Sequence, residues 1–190
     1  MNPPLTGIKI ADFSRVLAGP YATMLLADLG AEVIKVERPG SGDDTRGWGP
    51  PFDSNGDSTY FLSVNRNKQS LSLDLSKESD QQKALELINS SDVVVENFGP
   101  SGMEKYNLGY SKLISKNPNL VYCSISGFGT SDKATKLPGY DLLVQGMSGL
   151  MSITGGDETD PTKDGVALVD VITGLHAGTG ILAALRARDE

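Results

Sequence analysis

The 190-residue chain carries 24 Asp and Glu against 17 Lys and Arg, a formal net charge of −7, which argues against a general nucleic-acid or anionic-membrane binder. Cys123 is the only cysteine and His176 the only histidine, so an intrachain disulfide framework is excluded and no metal site is expected. The length suits one domain, taken as residues 1–190, with a sizeable core.

The N-terminus "MNPPLTGIKIADF" has no basic stretch leading into a long apolar one, and no run reads as approaching membrane-spanning length. The expectation is a soluble protein without a secretory signal or membrane partner. The cysteine usage suits a reducing compartment, the cytoplasm, or the mitochondrial matrix in a eukaryote, although no transit peptide is visible.

In chain order, "IKIADF" (8–13) reads as a buried strand and "AGPYATMLLADLG" (18–30) as a helix, punctuated by Pro20 near its start and Gly30 at its end. "AEVIKVE" (31–37) is a second strand, followed by a Gly, Pro, Asp and Ser-rich connection over 38–58. "SLSLDL" (70–75) is a third strand. "SKESDQQKALELINSS" (76–91) is an amphipathic helix with Ser76 or Ser79 as its cap. Strands follow at "DVVVENF" (92–98) and "LVYCSISGF" (120–128), then a second long connection at 129–139. Both long connections read either as flexible surface loops or as loops that cover a substrate. Tyr140 and Asp141 mark a helix start that also suits a pocket wall, and "GVALVDV" (165–171) reads as a sixth strand leading into the helix "LHAGTGILAALRA". Strands alternating with helices predict an α/β fold built on a mostly parallel, helix-covered sheet.

Asp170 then falls at a strand-to-helix junction. There it serves either as a helix cap or, at the carboxyl end of a strand, as a ligand-facing acid. The first βα turn, "ADFSRVLAGP", lacks G-x-G-x-x-G, which disfavours a nicotinamide or flavin enzyme. No P-loop and no G-x-S-x-G elbow occurs, and His176 lies inside a helix, so a nucleotidase and a Ser-His-Asp hydrolase are disfavoured too. Arg15, Arg38, Lys105 and Lys136 each neighbour a strand–loop junction. Individually they read as surface cations, and together they suit an anionic, phosphate-bearing ligand.

The ordered series "LTGIKIADFSRVLAGPYATMLLADLGAEVIKVERPGSGDDTRGWGPPF", "STYFLSVNRNKQSLSLDL", "DVVVENFGPSGMEKYNLGY", "YCSISGFG", "GYDLLVQGMSGLM" and "VALVDVITGLHAGTGILAALRAR" resembles the family III (CaiB/BaiF-like) CoA-transferases along essentially the whole chain. The resemblance implies a Rossmann-like large domain and, in Asp170, the catalytic nucleophile. It places CoA-contacting positions at Leu17, Ala18, Arg38, Leu73, Asp74, Leu75, Ser76, Asn97, Phe98, Gly99, Lys105, Lys136 and Tyr140; Arg15 and Asp141, read from their places near strand ends and a helix start, are candidates for the substrate pocket. Coenzyme A and acyl-CoA are then substrates, with no permanently bound cofactor, and the partners are a small carboxylic acid and a second copy of the chain, interlocked in the full-length family, or a complementing chain. With the family's small domain and returning C-terminal segment not seen in these 190 residues, the expectation is a truncated or split member that forms the CoA-binding half and is inactive alone.

In formyl-CoA transferases a glutamine stands at the position of Leu17, which argues against formate as the acyl group. Racemases of the family place a His where Tyr140 stands, which disfavours α-proton exchange. "RVLAGP", "ERPGSGDDTRGWGPPF" and "STYFLSVNRNK" are most similar to the branch that moves CoA from succinyl-CoA to glutarate or a related diacid. The alternatives are a 2-methylacyl-CoA racemase-like enzyme and a non-catalytic CoA-binding subunit. For the nucleophile, the amides at the start of its helix are expected to favour the ionised state.

Overall fold

Ile10 and Ala11 are fully buried and point to opposite faces of a sheet. They belong to β1 (Lys9–Asp12), the middle strand of five. The computed structural model describes residues 2–129, 131, 133–157 and 159–189, and of Lys136 only the backbone. Around β1 lie β2 (Glu32–Glu37), β3 (Lys68–Ser72), β4 (Val93–Glu96) and β5 (Val121–Ser124), in the order β3-β2-β1-β4-β5 with every pairing parallel. The helices are α1 (Ala18–Asp28), α2 (Thr59–Asn65), α3 (Glu78–Asn89), α4 (Tyr110–Ile114), α5 (Asp141–Met147), α6 (Leu150–Thr154) and α7 (Leu168–Arg188).

A parallel sheet needs cover on both faces, and the alternation of its strands supplies two apolar surfaces. Ile10, Val33, Val93 and Val95 pack with Leu26 of α1 and with Ile181 and Leu185 of α7. On the other face Ala11, Val36 and Val94 meet Ala84, Leu87 and Ile88 of α3, together with Met103, Leu108 and Leu113. Each large apolar side chain so enclosed is worth about 1.5–3 kcal/mol relative to exposure.

Several sequence expectations need correction. Residues 165–171 form no strand: Leu168 already opens α7, so Asp170 lies in a first helical turn and not at a strand end. A short apolar run cannot distinguish a strand from a packed helix by periodicity, and here Ala167 and Val171 pack beside Leu17, Met24 and Val64. The third strand sits two residues earlier than expected, because its register follows β2 from Val33↔Lys68 to Glu37↔Ser72. Helix α3 begins after Lys77 without a side-chain cap, so neither Ser76 nor Ser79 fills that role; Ser76 bonds to Asp74 instead. Finally, α7 is by length and composition apolar enough to cross a membrane, contrary to the reading that no run approaches that length. Between Asp170 and Arg186 it carries no charged Asp, Glu, Lys or Arg and is mostly Ala, Gly, Leu and Ile, which is also the content of a helix packed on a sheet, as Ile181 and Leu185 are here.

Candidate active site

The chain leaves β1 to one side and returns to β4 on the other. The switch point therefore lies at the carboxyl ends of these two strands, where open α/β sheets bind ligands. A cleft of about 860 Å³ opens there, within the range of small-molecule sites. Its floor is built by side chains that capture successive backbone groups. The Arg15 N–H donates to Asn97 Oδ1 at 2.9 Å, and Asn97 Nδ2 returns a bond to the Arg15 carbonyl at 2.8 Å. Lys35 Nζ donates to the Ser14 carbonyl at 2.8 Å. Beneath them Asp12 is fully buried, accepting from Ser14, Thr23 and Lys68.

Asp170 reaches the cleft from α7 and is half-buried. Among the described residues no donor bonds its carboxylate. Burial, then the negative charge of Asp141, pushes its pKa up to about 6. The helix-end amides expected to hold it ionised are taken by Asp141, whose Oδ1 accepts from Val169 N at 2.8 Å and Asp170 N at 3.2 Å. Asp141 is fixed in turn by the fully buried Gln145, whose Nε2 donates to Asp141 Oδ2 at 2.6 Å while its Oε1 accepts from Asp164 N at 2.9 Å. Gly174, one turn beyond Asp170, brings α7 against α1: a Cβ there would lie 2.7 Å from the Ala18 carbonyl oxygen.

Of the residues named from the sequence, Arg15, Leu17, Ala18, Asn97, Phe98, Gly99, Tyr140, Asp141 and Asp170 all line this cleft. The Arg15 guanidinium lies 4.8 Å from the Phe98 ring centroid, and burial followed by the nearby Arg38 lowers its pKa. The others stand outside it. Arg38 pairs with Asp44. Leu73 and Leu75 are spent in the core on the α3 face, and Asp74 and Ser76 form a surface turn. Lys105 is exposed on the turn Glu104–Tyr106, and the Lys136 side chain lies outside the described residues, although its neighbours Ala134 and Leu137 line the cleft.

Sequence reasoning missed Trp48, Tyr60 and Ser126–Gly129. Trp48 comes from the first long connection and packs edge-on against Tyr60, with ring centroids 5.3 Å apart. The Tyr60 hydroxyl is raised in pKa by burial and then by the negative charges of Asp170 and Asp141. Both long connections line the cleft, through Asp44 and Trp48 and through Leu137–Tyr140, which favours the substrate-covering reading over plain surface loops. A lone tryptophan in a polar loop and a glycine run after β5 were the available signals.

The cleft thus brings together aromatic rings, the Arg15 cation and the Asp170 carboxylate, which has no hydrogen-bond donor among the described residues. Comparison with known proteins identifies the family. A mouse succinyl-CoA:glutarate CoA-transferase is 51% identical over 185 residues, covering 97% of this chain and 42% of the relative. A succinate–glutarate CoA-transferase from Agrobacterium fabrum is 48% identical over 189 residues, covering 97% and 47%. A CAIB/BAIF family protein from Brucella suis superposes with a TM-score of 0.94 at 45% identity, over all of this chain and 50% of its own. The chain spans about half the length of these relatives. With the model for this family matched over residues 5–190, the chain belongs to CoA-transferase family III.

Proposed function

We propose that the protein takes part in moving CoA from succinyl-CoA to a second dicarboxylic acid through a covalent intermediate on Asp170. The observation that carries this reading is the half-buried Asp170 carboxylate, without a hydrogen-bond donor among the described residues, at the cleft formed by the switch point. The substrate class is supported by the relatives at 48–51% identity, whose names specify succinate or succinyl-CoA and glutarate.

An Asp170 carboxylate oxygen attacks the thioester carbonyl, the C–S bond breaks with its electron pair on sulfur, and an acyl-aspartyl anhydride and CoA thiolate result. The thiolate then attacks the aspartyl carbonyl of the anhydride and expels the donor acid as its carboxylate, leaving an aspartyl-CoA thioester. The acceptor carboxylate repeats the two steps in reverse, so no net proton is consumed. One exchange is divided into several smaller barriers. We assign the CoA moiety to the wall made by Arg15 and the Phe98 ring, and the acyl group to the side of Trp48, which Tyr60 backs. We assign turnover to the assembly that includes the other half of the length seen in the relatives, in the same polypeptide or a partner. In the 190-residue chain Ile172, Leu175 and Leu182 of α7 stand exposed, which supports a surface meant for cover.

The test is trapping. Succinyl-CoA added to the active assembly, then quenched with hydroxylamine and digested, should give an Asp170 hydroxamate, absent in Asp170→Asn. A hydroxamate on Asp141 in place of Asp170 would overturn the assignment.

A further inference from the structure

Val16 holds φ at +67°, and it is the only β-branched residue among the non-glycine residues described with positive φ, the others being Asn67, Ser101 and Asn107. A valine disfavours this left-handed conformation strongly, so the surroundings must impose it. Val16 lines the cleft between Arg15 and Leu17, and its φ sets the direction in which the chain turns from β1 into α1. The constraint is visible. The Val16 N–H faces both oxygens of the Asp43 carboxylate at 3.3 and 3.4 Å. Asp43 is paired with Lys35 at 2.9 Å, with side-chain exposures of 0% and 2%, and Lys35 also holds the Ser14 carbonyl. The same Asp43 carboxylate accepts from Thr45 N at 3.0 Å and Thr45 Oγ1 at 2.8 Å, fixing the turn Asp44–Gly47 that leads to Trp48 on the opposite wall.

We infer that Asp43, backed by Lys35, is a positioning residue that clamps the two walls of the cleft together by holding Val16 in the left-handed conformation. The inference rests on the reading of the cleft as an acyl-CoA site. A buried ion pair is weak evidence for stability as such, whereas one that fixes a strained backbone beside a ligand site has a geometric task. Asp43 touches no substrate in this scheme; it acts through Val16 and Trp48.

The test uses the 190-residue chain, with free CoA as the probe, and the variants Asp43→Asn, Asp43→Asn/Val16→Gly and Asp43→Asn/Val16→Ala. Glycine adopts positive φ without penalty, while alanine trims the isopropyl group to a methyl and, with its Cβ, keeps a penalty. Asp43→Asn should weaken CoA binding by about tenfold in calorimetry, as expected when one strained residue loses its support. The glycine double variant should recover to within about threefold of the parent, and the alanine double variant should not recover. Equal recovery by glycine and alanine, or a lowered melting temperature with unchanged CoA affinity, would overturn the inference in favour of a purely structural pair. A parent chain that binds no CoA would count against the proposed function. The clamp is then read directly from the NMR coupling and Cα shift of residue 16: loss of the left-handed signature in Asp43→Asn supports the inference, and its persistence overturns it.

Discussion

The Asp141 carboxylate accepts the backbone N–H of Asp170 at 3.2 Å, so the acid that caps α7 also faces the acid that the helix carries. Two effects follow with opposite signs. The cap stabilises the helix start, while the added negative charge, after burial, keeps the Asp170 carboxyl protonated up to about pH 6. If Asp170 reacts as a carboxylate, the rate should fall as pH drops through about 6. Asp141→Asn keeps an oxygen for the Val169 and Asp170 amides and removes the charge, so the midpoint should move to lower pH. Carboxyl 13C titration of Asp170 in parent and variant checks this, and an unmoved midpoint would refute the coupling.

The same raised pKa makes a stability prediction that needs no turnover. Asp170 binds its proton more tightly when folded, at about 6, than at its ordinary value of 3.8, so its contribution to stability falls as pH rises through that window. Asp170→Asn lacks the penalty. Its melting temperature should exceed the parent's at pH 7.5, and the difference should vanish below pH 4. A variant less stable than the parent at pH 7.5 would contradict the origin given for the shift.

Much of this architecture was legible from residue order. The runs around Ile10, Val33 and Val93–Val95 are apolar on both faces because parallel strands are buried on both, and Gly30 ends α1 at φ +100° as its position suggested. Parallel pairing alone puts every strand's carboxyl end on one side, which is why Arg15, read from its place after a strand, lines the cleft together with Asn97 and Phe98, which only the family resemblance implied. What could not be read was tertiary. The cap of α7 comes from Asp141, 28 residues before Val169, and frees the run at 165–171 to start a helix. Leu73 and Leu75 share the strand-end position of the cleft residues, but their side chains alternate into the α3 core. No spacing rule reveals that Asp43 would find the Val16 amide.

The buried group under the cleft floor predicts acid sensitivity. Burial alone would raise the pKa of Asp12, but Lys68 at 3.2 Å, Lys35, and the hydroxyls of Ser14 and Thr23 hold it down at about 2. A carboxylate lowered on folding contributes stability that is present above its unfolded value of 3.8 and lost as pH falls from there towards 2. Glu37, held at about 2 by Arg46, Ser70 and the Asp43 amide against its burial, acts in the same direction. Urea unfolding should therefore show a steep loss of stability between pH 4.5 and 2, the window set by these two carboxyls. Asp12→Ala leaves Lys68 buried without its carboxylate, a change worth about 3–5 kcal/mol at pH 7. Its effect should shrink towards pH 2, and a pH-independent loss would rule out the electrostatic account.

Three glycines of α7 offer a contrast within one helix. Replacing a mid-helix glycine by alanine ordinarily stabilises by about 0.5–1 kcal/mol, because alanine loses less backbone entropy on folding. At Gly180 a Cβ would meet nothing within 4 Å, so Gly180→Ala should give that gain in the 190-residue chain, and so should Gly178→Ala. At Gly174 the Cβ would sit 2.7 Å from the Ala18 carbonyl oxygen and 3.0 Å from Tyr21 Cδ1, and the backbone oxygen cannot rotate away. Gly174→Ala should therefore reverse the sign and destabilise by about 1–3 kcal/mol, the usual range for overpacking. It should also lever the first turns of α7 away from α1, which moves Asp170 relative to Ala18 across the cleft. Thermal unfolding of the three single variants, with CoA affinity as a second readout, separates the cases. If Gly174→Ala stabilises as Gly180→Ala does, the close approach of the two helices is not what places Asp170.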